Sequence, residues 1–129
     1  MSRKRLGILI SGRGSNMEAL LKAAQDPAWP CEPVLVLANK PDAGGLEKAR
    51  GFGVKAVAID HKIFGKNREA FDRAMNETLE AEGVELIALA GFMRVLTPWF
   101  VNQWAGRLIN IHPALLPKYP GVDTHNRAL

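Results

Sequence analysis

The sequence predicts an α/β fold, a Rossmann-like, doubly wound and mainly parallel sheet, on three observations. Short apolar runs recur along the 129 residues, most of them closed within two residues by Gly, Pro or Asn. Segments with helical spacing stand between those runs, which gives the strand and helix alternation of right-handed crossovers. The polar residues best suited to chemistry follow the runs directly, at the carboxyl ends of the strands, where open parallel sheets bind their ligands.

Leu6 to Ile10 is a short apolar run that stops at Ser11-Gly12 and reads as a buried strand. Ser15-Asn16-Met17-Glu18 has the Ser-x-x-Glu form of a capping box, and Met17, Leu20, Leu21 and Ala24 follow at helical spacing. A helix is therefore expected from about Asn16 to Gln25. Pro27, Pro30 and Pro33 interrupt the chain before Val34 to Ala38, a second buried strand that ends at Asn39-Lys40-Pro41. Gly44 to Phe52 reads as a short helix closed by Gly53, and Ala56 to Ile59 as a third strand.

From about Asn67 to Ala81 the positions Ala70, Phe71, Ala74, Met75, Thr78 and Leu79 follow the helical repeat, and Gly83 stands where the helix should stop. Leu86 to Ala90 is apolar without alternation, as in a strand covered on both faces, and ends at Gly91. Pro98 opens a short helix carrying Trp99, Phe100, Val101 and Trp104, and Arg107 to Ile111 forms the fifth strand. No repeat or linker is visible, so residues 1–129 read as one domain with one core.

The bulk numbers exclude some classes and leave others open. A composition with 47% hydrophobic and 23% charged residues is that of a folded soluble domain. The net charge of +4 suits an anionic small molecule as well as a nucleic acid. The only dense basic cluster, Arg3-Lys4-Arg5, has no array of stacking aromatics beside it, so nucleic acid is not the expected partner. Cys31 is the only cysteine, which fits a reducing cytoplasm. The apolar stretch before Gly12 is too short for a signal-peptide core or a membrane span. The three histidines are scattered, without Cys or Glu at ligand spacing, so no metal site is expected.

Ser11-Gly12-Arg13-Gly14-Ser15-Asn16 joins the first strand to the first helix. Its glycines let backbone N–H groups converge, and the helix start adds partial positive charge, so the loop suits a phosphate; the plainer reading is a tight turn with an ordinary cap. A dinucleotide is disfavoured, because Met17 replaces the third glycine of the fingerprint and Asn39 stands at the end of the second strand instead of an acid. The P-loop pattern is absent as well, which leaves a monophosphate as the better fit.

Asn110 and His112 lie two apart at the end of the fifth strand, so both side chains leave on one face. An amide beside an imidazole suits acyl-type chemistry: both can hydrogen-bond an oxyanion, and the imidazole can move protons near neutral pH. Taken alone, the pair reads more readily as a polar strand cap and a turn former. The loop Gly91-Phe92-Met93-Arg94-Val95-Leu96 could take a flat heteroaromatic ligand between its apolar side chains, though alone it reads as a loop packed on Trp99 and Phe100.

Three motifs then coincide in order: Ser11-Gly12-Arg13-Gly14-Ser15-Asn16, Ala90-Gly91-Phe92-Met93-Arg94-Val95-Leu96, and Asn110-Ile111-His112-Pro113-Ala114-Leu115-Leu116-Pro117-Lys118-Tyr119-Pro120-Gly121. Together they resemble the folate-dependent phosphoribosylglycinamide formyltransferases, over the whole chain. The third motif belongs to the wider group of formyltransferases and formyl-folate hydrolases, and the first narrows it to an enzyme with a ribonucleotide substrate.

The resemblance implies the amino-terminal fold of the formyltransferases and two small-molecule substrates, 5-phosphoribosylglycinamide and the co-substrate 10-formyltetrahydrofolate. It implies that Gly14, Ser15 and Asn16 hold the nucleotide phosphate. Met93, Arg94, Val95 and Leu96, with Asn110, would hold the folate, and Arg68 matches a family position that touches it. Arg68 also reads as a solvated residue in the first turn of the long helix. His112 and Asn110 match the family's catalytic pair, with direct attack of the substrate amine on the formyl carbon.

Two departures qualify that likeness. Asp123 stands where some relatives carry a second histidine. The sequence stops at Leu129, whereas the family continues through further strands that carry a catalytic aspartate. The chain is thus expected to be the amino-terminal part of such an enzyme, incomplete at its carboxyl end and poorly active alone, with self-association into a homodimer as one consequence of an open edge. The rival expectations are a formyltetrahydrofolate hydrolase and a non-catalytic nucleotide- or folate-binding fragment.

Overall fold

The computed structural model describes residues 3–111. The elements run β1 (Lys4–Ile10), α1 (Ser15–Ala23), β2 (Cys31–Ala38), α2 (Gly45–Gly51), β3 (Ala56–Ala58), a 3-10 turn (His61–Phe64), α3 (Arg68–Ala81), β4 (Leu86–Leu89), α4 (Pro98–Gln103) and β5 (Leu108–Asn110). The strands form one parallel sheet in the order β3-β2-β1-β4-β5. The chain builds outward from β1 through β2 to β3, then crosses back to lay β4 on the other side of β1. That reversal opens a crevice between the carboxyl ends of β1 and β4.

Alternation along each strand feeds two cores. Leu6, Ile8 and Ile10 of β1, with Val36, Ala38 and Ala88, pack under α1 and α2 against Met17, Leu20, Leu21, Leu46 and Ala49. Leu9, Leu35, Leu37, Ile87 and Leu108 point the other way, onto Phe71, Met75 and Leu79 of α3 and Phe100 and Trp104 of α4. Phe71, Met75 and Leu79 are four residues apart, so one stripe of α3 meets the sheet. No described helix is long and apolar enough to cross a membrane.

Helix ends follow their local chemistry. The side chain of Asn67 accepts from Ala70 N–H to start α3, and Gly83 lies just past its end with φ of 70°. Thr97 caps α4, and Pro98 takes the first helical position. Thr97 is held in turn by buried Asp72, whose Oδ2 accepts from its N–H at 2.8 Å and from its Oγ1 at 2.7 Å. A 3-10 turn at His61–Phe64 stands between β3 and α3, and Asp60 caps it by accepting from Lys62 N–H. Expected boundaries moved elsewhere: β2 begins at Cys31, three residues before the expected Val34, and takes in Pro33, while α1 closes at Ala23, β3 at Ala58 and β4 at Leu89.

Asn76 shows how the second core tolerates a polar side chain. Its Oδ1 accepts from the buried indole Nε1–H of Trp104 at 2.8 Å, joining α3 to α4. Asn76→Ala strands that N–H in the core and should lower stability by about 1–3 kcal/mol. Urea unfolding checks this, and a midpoint equal to wild type would show that the bond contributes nothing net.

Candidate functional site

β1 reaches the rim of the sheet at Ile10, and the following loop folds back over it. Gly14 is the N-cap of α1 with φ 74° and ψ 33°, a left-handed conformation. A Cβ there would stand 3.0 Å from Gly45 Cα and 3.0 Å from Met17 Cε, so glycine is required by both backbone angle and space. Gly45 N–H donates to Gly12 C=O at 3.0 Å, which docks the start of α2 on this loop.

The expected Ser15/Glu18 capping box is not formed. Ser15 is the first helical residue, the cap has no side-chain hydrogen bond, and the Glu18 carboxylate lies 3.8 Å from Lys48 Nζ. The left-handed turn at Gly14 starts the helix one residue early, and this removes Ser15 from the position in which it could cap. The consequence is useful: the exposed Ser15 side chain and the first-turn N–H groups are not consumed by a cap.

Gly14, Ser15 and Asn16 line a cavity of about 250 Å³ in the crevice between β1 and β4. Arg13 and Lys40 bring cationic side chains to it, and no carboxylate lines it among the described residues. The backbone N–H groups, helix start and two cations give its lining a positive electrostatic character. Gly91 and Met93 form its opposite wall, at the beginning of the loop after β4.

That loop is fixed from below and open above. Met93 N–H donates to Ser11 Oγ at 2.8 Å, and Thr97 at its far end is held by Asp72. The Arg94 guanidinium lies over the Phe71 ring, 4.8 Å from its centroid, and Leu96 packs against the α3 and α4 core. The outward side chains are therefore Met93 and Val95, which are 80% and 76% exposed. Among the described residues, no hydrogen bond uses the backbone N–H of Arg94, Val95 or Leu96.

Asn110 ends β5, paired in register with Leu89, which in turn pairs with Leu9. Two strand spacings of roughly 4.8 Å put it about 10 Å across the sheet from β1 at the same rim. Alternation from buried Leu108 places it on the α3 and α4 side, and it is exposed. Asn110 does not line the 250 Å³ cavity, nor does Arg68, which opens α3 as an exposed residue. His112, the Pro113 to Gly121 part of the third motif, Asp123 and His125 lie outside the described residues.

Sequence reasoning missed a buried polar chain beneath the site. Ser11 Oγ–H donates to Asn39 Oδ1 at 2.7 Å, and Asn39 Nδ2 lies 3.3 Å from His61 Nδ1. The signal was available: Ser11 and Asn39 are polar residues directly after two apolar strands that pair with each other. His61 also lines a second cavity, of about 450 Å³, with Lys40, Asp42, Asp60 and Lys62 at the ends of β2 and β3. At the amino end of the sheet, burial pushes the Cys31 thiol up, against the lowering influence of Arg3 and Lys4, so it stays protonated at neutral pH and far from this chemistry.

Residues 4–129 match the formyl transferase family. The trifunctional purine biosynthetic protein adenosine-3 of Drosophila melanogaster is 50% identical, over 98% of this chain and 10% of that protein. Phosphoribosylglycinamide formyltransferase of Escherichia coli (strain K12) is 45% identical, over 95% of this chain and 57% of that protein. The crystal structure of phosphoribosylglycinamide formyltransferase from Brucella melitensis superposes with a TM-score of 0.83 at 46% identity, covering 98% of this chain and 66% of that one. The chain thus spans less than two thirds of each of these relatives.

Proposed function

The chain belongs to the formyl transferase family, and on that premise we propose that it carries the nucleotide and folate loops of an enzyme that formylates 5-phosphoribosylglycinamide for purine synthesis. The formyl donor is 10-formyltetrahydrofolate. The observation that carries this reading is the crevice between β1 and β4: an anion-binding loop on one wall, and on the other a loop with open backbone groups and exposed apolar side chains. Such a pair suits two ligands at once, a phosphate ester and a flat apolar heterocycle with a polar edge.

In this reading Gly14, Ser15 and Asn16 hold the phosphate through backbone N–H groups and the free side chains, with Arg13 and Lys40 adding charge. Met93 and Val95 cover the pteridine-like ring, and the N–H groups of Arg94, Val95 and Leu96 meet its polar edge. Arg94 and Leu96 contribute through backbone, since their side chains pack inward. Arg68 takes the charged part of the folate from the start of α3.

The substrate amine attacks the formyl carbon, and the carbonyl oxygen becomes an oxyanion that Asn110 and His112 stabilise. Collapse breaks the bond to N10 of the folate; the amine loses one proton and N10 gains one, with His112 carrying it. The nearness of Asn110 to both loops at one rim supports this assignment. The reaction belongs in the cytoplasm, where a lone unpaired cysteine is at home.

The rival is hydrolysis, in which water takes the place of the amine. Incubating the full-length protein with both substrates should give formylated nucleotide and tetrahydrofolate in equal amounts. Formate without formylated nucleotide would replace this reading with the hydrolase.

A further inference from the structure

We infer that Ser11 and Asn39 are positioning residues for formyl-folate binding, because their buried hydroxyl and amide hold the backbone of Met93 in place. The inference rests on the folate reading of the 91–97 loop.

A serine hydroxyl has one proton to give and lone pairs to accept with. Here the proton goes to Asn39 Oδ1 at 2.7 Å, which leaves the oxygen to accept Met93 N–H at 2.8 Å. Ser11 and Asn39 are 4% and 1% exposed, so water is a poor substitute for either partner. The bond works only if Asn39 presents its oxygen, not its NH₂, to Ser11. His61 Nδ1 lies 3.3 Å from Asn39 Nδ2 and 3.0 Å from Asn39 C=O; the tautomer with Nδ1 unprotonated accepts from the Asn39 NH₂ and holds that orientation, whereas an Nδ1–H would donate to the carbonyl instead. His61 N–H donates to the same carbonyl at 3.2 Å and keeps the ring there.

The chain of contacts therefore runs from the 3-10 turn through the end of β2 and the first residue of the phosphate loop to the middle of the folate loop. Arg94 over Phe71 and Thr97 on Asp72 tie the folate loop to α3, and among the described residues the Met93 hydrogen bond to Ser11 ties it to the start of the phosphate loop. Beyond the point where β1 and β4 pair, this hydroxyl thus joins the folate loop to the first residue of the phosphate loop.

Ser11→Val and Ser11→Thr have nearly equal volume and differ in the hydroxyl. In the full-length protein, Ser11→Val should raise KM for 10-formyltetrahydrofolate and Kd for the product tetrahydrofolate roughly tenfold, the scale of a buried group losing its partner. The loss of folate affinity should exceed any loss of affinity for 5-phosphoribosylglycinamide. Ser11→Thr should restore folate affinity. Amide hydrogen exchange at Met93, which needs no ligand, should speed up in Ser11→Val and not in Ser11→Thr. Where either bulkier side chain fails to fold, Ser11→Ala is compared with wild type on the same readouts.

Unchanged Met93 exchange on loss of the hydroxyl overturns the inference, as does equal tetrahydrofolate affinity with and without it. Wild-type protein that binds no tetrahydrofolate defeats the folate reading instead, and the exchange rates then decide the tether separately.

Discussion

Asn110→Ala in the full-length protein should lower turnover by roughly 100- to 1,000-fold, with nucleotide affinity close to wild type. This is the usual cost of removing one donor to a developing oxyanion, about 2.7–4 kcal/mol of transition-state stabilisation. The structural ground is that Asn110 ends β5, exposed at the rim and outside the anion cavity, so its loss leaves the phosphate loop intact. The sequence places His112 two residues further on, and His112→Ala should have an effect of similar size. Single-turnover rates on pre-bound nucleotide separate chemistry from binding. Wild-type turnover in either variant would remove these residues from the mechanism.

Gly14→Val should reduce affinity for 5-phosphoribosylglycinamide by roughly tenfold to a hundredfold. A β-branched residue at φ 74° carries about 1–3 kcal/mol of backbone strain, and each 1.4 kcal/mol is a factor of ten in affinity. The added carbons also press on Gly45 Cα, a backbone atom at the start of α2 that cannot swing aside. The strain is relieved when the loop leaves its anion-binding conformation, so binding must then drive it back. Gly51→Ala is a control outside the cavity, since a Cβ there meets nothing within 4 Å. Calorimetric titration distinguishes them; equal affinities for Gly14→Val and wild type would mean that the phosphate binds elsewhere.

The elements that the sequence announced are those governed by local rules. The α3 stripe of Phe71, Met75 and Leu79 repeats every four residues, Asn67 and Gly83 mark its ends, and the apolar runs of β1, β2 and β4 are too short and too branched to read otherwise. The glycine loop was legible for the same reason, since few uses other than a tight backbone turn need Gly-x-Gly between strand and helix. Its detail was not. Whether Ser15 caps α1 depends on the left-handed turn of Gly14, and that turn depends on α2 arriving at Gly45, thirty-one residues later.

The other features that escaped the sequence are also long-range. Ser11 meets Asn39 across β1 and β2, and Asp72 meets Thr97 across the second core, pairings that leave no periodic trace in either segment. Arg94 is a further long-range case. Its guanidinium lies over the Phe71 ring while the neighbouring Met93 and Val95 turn outward, a division of the loop that its sequence does not mark.

The central claim is that a phosphate-holding loop and the end of β5 serve one substrate from the same rim of the sheet. Amide chemical shifts followed during titration with 5-phosphoribosylglycinamide test it most directly. The account predicts shifts at Gly14, Ser15 and Asn16 together with Asn110 and Ile111. Shifts confined to the opposite end of the sheet, around Arg3, Gln25 and Gly53, which line a separate cavity of about 200 Å³ there, would contradict it.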